Sequence, residues 1–166
     1  PKSEYIDSGV SSGFIELWID EKSNSFGIYD NSSEMLWAAL PLKSETGKIS
    51  GKDSSIVSLK VNAGTDIYLL NSQDNSVSYG CADIKRTDNG CVFSYDIFPS
   101  KETASKSSFL PEDIGFHVDA QVTLADGSMN ISLKWDNITG NESASIESIE
   151  LLNYFGSYNN TDSDNF

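Results

Sequence analysis

GFHVDAQVTLADGSMNISLKWD, residues Gly115–Asp136, decides the class of this fold. Two alternating runs flank Asp126-Gly127, a dipeptide suited to the tight turn of a β-hairpin because both central residues of that turn need positive φ. With that turn, Val122 faces Ile131, Ala120 faces Leu133 and Val118 faces Trp135, which makes one side of the hairpin apolar. The other side pairs Thr123 with Asn130, Gln121 with Ser132, Asp119 with Lys134 and His117 with Asp136. Such a pattern specifies a strand pair with one buried and one wet face.

The same period of two runs outward through the chain. Ile15, Leu17 and Ile19 alternate with Glu16, Trp18 and Asp20; SFGIYD and EMLWAAL follow after short turns and complete a three-strand meander. Val57, Leu59 and Val61 alternate before the Ala63-Gly64 turn and DIYLL. After a turn at Asn71–Asn75, SVSYG leads as a strand into the hairpin CADIKRTDNGCVFSYDIF. The run Ile146–Phe155 closes the pattern as a strand whose Ile149, Leu151 and Phe155 point into the fold. Lys43–Ser55 and Ser100–Ser108 are polar loops, and no segment of useful length has a helical period. About ten strands in antiparallel meanders predict an all-β fold, an antiparallel β-sandwich.

The chain has 166 residues, enough for one self-sufficient core. Acidic residues number 25 against 11 basic ones, a net charge of -14. That surface repels phosphate backbones and anionic lipid, which excludes nucleic acid as a partner class. No apolar run reaches the length of a membrane span, so membrane insertion is not expected. No basic-then-apolar segment opens the chain at Pro1, and the missing Met suggests a trimmed or processed start. Cys81 and Cys91 lie in one hairpin. If Asn89-Gly90 is central to its turn, Ile84 faces Tyr95 and Ala82 faces Ile97. The cysteines then sit on opposite faces, on the order of 20 Å apart at strand rise, beyond the ~7 Å that a disulfide spans. Both are expected to be free thiols, and neither a metal-ligand spacing nor a cofactor motif is present.

His117 is the sole histidine and the one candidate for general base catalysis, with Asp136 and Asp119 beside it. A complementary charged ladder on the wet face accounts for the same residues, and no nucleophile or second acid accompanies them. DNSSE (Asp30–Glu34) and TDSD (Thr161–Asp164) could offer oxygen ligands but lack the length and glycine of a calcium loop, and solvated turn chemistry explains them. Asn31-Ser32-Ser33 and Asn137-Ile138-Thr139 are sequons of the kind that Asn/Ser/Thr-rich turns generate by chance. In the first hairpin, Asp20 opposite Ser25 puts Trp18 over Gly27 on the outer face, with Tyr29 diagonal to it. An outward aromatic pair of this kind stacks sugar rings in many sandwich modules; it equally shields a backbone glycine or packs beneath a neighbouring loop or domain. Trp37 and Trp135 fall on apolar faces and are expected in the core.

Two stretches carry a resemblance. FIELWIDEKSNSFGIYDNSSEMLWAALP (Phe14–Pro41) is similar to the opening of a family of bacterial cell-surface proteins known mainly as a domain of unknown function. SIELLNYFGSYNNTDSDNF (Ser148–Phe166) is similar to that family's exit from the same domain. The resemblance implies an N-terminal β-supersandwich, similar to galactose mutarotase, ahead of a glycosidase-like barrel. It implies a sandwich domain over 1–156 and, over 157–166, the start of a linker to a downstream domain. The expected function is a non-catalytic accessory domain of a secreted or surface protein, partnered by that downstream domain and by glycan, with no cofactor. Mutarotases use a histidine and a glutamate; here only His117 is available and no Glu is marked as its partner. The two rival readings are a carbohydrate-binding module using Trp18 and Tyr29 and a mutarotase-like epimerase using His117.

Overall fold

The computed structural model describes residues 4–41, 54–153 and 155. Most stretches in which β-branched and aromatic residues alternate with polar ones are extended, and eleven strands result among the described residues. They form three antiparallel sheets and an all-β sandwich. The first sheet is a meander of β1 (Ile6–Ser12), β2 (Ile15–Asp20), β3 (Ser25–Asp30) and β4 (Met35–Ala38). The second joins β5 (Val57–Ala63) and β6 (Asp66–Asn71) to the last strand, β11 (Ala144–Leu151), in the order β11-β5-β6. The third holds β7 (Ala82–Thr87), β8 (Gly90–Ile97), β9 (Phe116–Ala125) and β10 (Ser128–Asn137) in the order β10-β9-β8-β7.

One continuous core draws on all three sheets. Leu17, Ile19 and Phe26 come from the first, Val57, Leu59 and Val61 from the second, and Phe93, Tyr95, Val118 and Val122 from the third. Phe26 packs on Phe93 with ring centroids 5.4 Å apart and on Phe155 at 6.4 Å. Ile149, Leu151 and Phe155 pack half-buried against this core, as their alternation leads one to expect. The wholly buried Tyr95 spends its hydroxyl on the Asn24 carbonyl, 2.7 Å away in the β2–β3 turn, which ties the third sheet to the first. Its phenol is pushed far above the usual range by burial, so it stays a neutral donor.

Three local expectations are corrected, and β1 is added to the strands read from the sequence. β1 is a strand although IDSGVSS carries little apolar pattern; it pairs with β2 and buries only Val10 of its residues. SVSYG is not extended: Asn71 caps a helical turn, α1 (Ser72–Asn75), by accepting from the Asp74 N–H at 2.7 Å, and a 3-10 turn over Val77–Tyr79 follows. Within Ser100–Ser108, a Ser100 cap starts a second helical turn, α2 (Lys101–Ala104). The β7–β8 hairpin turns at Asp88-Asn89 rather than Asn89-Gly90, so Ile84 faces Phe93 and Ala82 faces Tyr95. That slip is two residues, so every side chain keeps its face. Gly90 falls where it does because a Cβ there would sit 1.9 Å from the Val122 carbonyl oxygen of β9. Residues 157–166, the expected linker, and most of the Lys43–Ser55 loop lie outside the described residues.

Candidate functional site

The β9–β10 register is the one read from the sequence, pair for pair from Thr123–Asn130 to His117–Asp136, around Asp126 (φ 52) and Gly127 (φ 70). The histidine's bonded partners come from the other side. β8 lies against β9 with Asp96 opposite His117 and Ser94 opposite Asp119. His117 Nδ1 lies 2.6 Å from Asp96 Oδ1, and Nε2 lies 3.0 Å from Asp119 Oδ1. The Ser94 hydroxyl donates to the same Asp119 oxygen at 2.6 Å. The ring is thus bracketed by two carboxylates on a partly exposed face. The Asp96 hydrogen bond raises its pKa above the ordinary 6.5; burial lowers it by less, and the negative charges of Asp119 and Asp96 add smaller rises.

Protonated, the ring commits both N–H groups to carboxylates and has no free lone pair for a substrate proton. Ser94 gives its hydrogen to Asp119 rather than to the histidine, so the two do not form a serine–histidine pair. Asp96 escaped the sequence reading because residues 98–115, including α2, separate β8 from β9, and no local pattern states that the two pair.

On the first sheet, Trp18 pairs with Gly27 and Glu16 with Tyr29, as read from the sequence. The Trp18 and Tyr29 rings are 5.5 Å apart and inclined at 44°. The Trp18 indole N–H donates to Glu16 Oε2 at 2.9 Å, while Asn31 Nδ2 donates to Glu16 Oε1 at 2.7 Å. Leu36 reaches over Gly27, where an added Cβ would come within 2.9 Å of its Cδ1. Both aromatic rings are half-buried, and Glu16, Trp18, Tyr29 and Leu36 have further partners besides these. The arrangement is a braced aromatic corner rather than two rings presented flat.

Trp37 and Trp135 are not core. Trp37 is 39% exposed on the edge strand β4 and Trp135 is 56% exposed on the edge strand β10. Both do lie on the apolar sides of their sheets, Trp37 beside Ile28 and Trp135 beside Val118, but on the outermost strands among the described residues. The Asp30–Glu34 turn uses its acid locally: Asp30 accepts from the Ser32 N–H at 2.8 Å and hydroxyl at 2.6 Å and from the Ser33 hydroxyl at 2.9 Å. These bonds, the Ser32 hydroxyl first, hold its carboxyl below the usual range. No group of three or more His, Cys, Asp or Glu is placed to hold a metal among the described residues, and Thr161–Asp164 lies outside them. Asn137 of the second sequon donates its amide to the Asn141 carbonyl at 2.8 Å and accepts from Thr139 and Gly140. Cys81 and Cys91 are free, with both thiols pushed up by burial away from the reactive thiolate.

A shallow depression on the β11-β5-β6 sheet, bordered by Lys60, Leu69, Ser148 and Glu150, lies at neither candidate site. Its volume of about 110 Å³ is well below the ~300–1,000 Å³ of small-molecule sites. No helix among the described residues is long and apolar enough to cross a membrane. Compared with known proteins, the chain matches no family model and no curated sequence.

Proposed function

We propose that this sandwich is a non-catalytic accessory domain of a secreted or surface-anchored bacterial protein, related to the supersandwich domains that precede glycosidase-like barrels. The observation that carries the non-catalytic part is the double engagement of His117 by Asp96 and Asp119. In that state the sole histidine serves as a cross-strand cation. The resemblance of Phe14–Pro41 and Ser148–Phe166 to such domains supports the surface setting and the carbohydrate context. The domain's work is then done by its surface, buttressing its neighbour and adding to glycan contact.

Polarimetry on freshly dissolved α-D-galactose tests the first part: mutarotation in the presence of the domain should proceed at the buffer rate. An acceleration abolished in a folded His117→Ala variant would replace this reading with the epimerase. A glycan-contact role is favoured by the Trp18–Tyr29 corner. Tryptophan emission during titration with cell-wall and plant oligosaccharides reports it. A saturable change lost in Tyr29→Ala supports the contact, and a response unaffected by that substitution rules out this corner.

A further inference from the structure

The outer face of the β10-β9-β8-β7 sheet carries an ordered set of charges. From the pairings, Asp83 and Lys85 of β7, Asp96 of β8, His117 and Asp119 of β9, and Lys134 and Asp136 of β10 share that face. Four carboxylates thus meet two lysines, and the imidazolium is the third cation. It is also the cation among them that titrates near neutral pH.

Its two contacts are not equivalent. Asp96 stands on the next strand, at 2.6 Å from Nδ1. Asp119 stands two residues along the same strand, at 3.0 Å from Nε2, and already receives the Ser94 hydroxyl. A neutral imidazole has one N–H and one lone pair. Placing the lone pair against Asp96 would break the shorter contact and set an acceptor against a carboxylate across the strand boundary. Placing it against Asp119 loses the longer contact, and Asp119 keeps Ser94 as a donor.

We infer that His117 is a proton-operated clasp: protonated, it bridges Asp96 and Asp119 on the solvated face; deprotonated, it keeps Asp96 through Nδ1 and releases Asp119. Loss of the proton leaves the face one charge more negative and exposes a basic Nε2 beside Asp119. The clasp does not depend on whether the domain touches glycan. Its sign follows from the contacts. Both stabilise the charged ring, so the folded protein holds this proton more tightly than the unfolded chain. The resulting stabilisation is complete below the unfolded value near 6.5 and is lost as pH rises through the higher folded value.

The test is an NMR titration of the His117 ring with nitrogen-15 detection, in the folded domain and in urea. The folded midpoint should lie above the unfolded one, and the neutral ring at high pH should carry its proton on Nδ1. Asp96→Asn should lower the midpoint more than Asp119→Asn. The gap in urea midpoint between wild type and His117→Gln should narrow as pH rises across the titration. A folded midpoint at or below the unfolded one overturns the clasp. So does a neutral ring protonated on Nε2, or an Asp96→Asn midpoint equal to wild type.

Discussion

Tyr95 shows how much one atom can hold at the scale of the residue. Its ring is fully buried, and its hydroxyl satisfies a carbonyl belonging to another sheet. Tyr95→Phe leaves the Asn24 carbonyl without that donor and should cost about 1–3 kcal/mol in urea unfolding. Gly90→Ala should be worse. The new methyl would meet backbone, not a flexible side chain, so the hairpin must shift; a loss of roughly 3 kcal/mol or outright failure to fold is expected in thermal melts. Trp135→Phe makes the opposite case. More than half of that side chain is exposed, so its replacement should change stability by less than ~1 kcal/mol. Asp113 is nearly buried yet needs no core partner beyond its own loop. Lys106 Nζ at 2.6 Å, then the Leu110 N–H at 2.7 Å, hold its carboxyl below the ordinary carboxylate range.

Neighbouring strands of one sheet, β9 and β10, differ most at the scale of the element. β9 alternates between buried and half-buried residues from Phe116 to Leu124, whereas no residue of β10 is buried. Among the described residues β9 has partners on both sides and β10 on one. Hydrogen exchange should therefore find the β9 amides among the slowest, with every second amide of β10 exchanging fast. Uniform protection along β10 would mean that something pairs with its free edge in solution. β11 carries a heavier share, since it is the second partner of β5, whose Val57, Leu59 and Val61 are wholly or nearly wholly buried. A chain ending before Ala144 should lose cooperative thermal unfolding, because that edge of the core would be open to water.

The charge dominates the behaviour of the whole molecule. With a net charge of -14 the folded state repels itself, so raising sodium chloride from about 0.01 M, where the screening length is ~30 Å, to about 0.15 M, where it is ~8 Å, should raise the melting temperature. A fall would mean that specific pairs such as Lys60–Glu147, at 2.9 Å, outweigh the general repulsion. The amino-acid sequence by itself determined the β class, the register of the β9–β10 hairpin and the face of each residue along it. Those properties are local: a period of two and an Asp-Gly turn act within a few residues of one another. It also placed Trp18 over Gly27 beside Tyr29, for the same reason. Only the tertiary structure decided that β8 lies against β9, which makes Asp96 the partner of His117. Only the tertiary structure, too, left Trp37 and Trp135 at open sheet edges and recruited the polar β1 as a strand. An apolar pattern says which side of a strand seeks cover. Whether an opposing layer reaches that far is set by residues distant in the chain, and no short stretch encodes it.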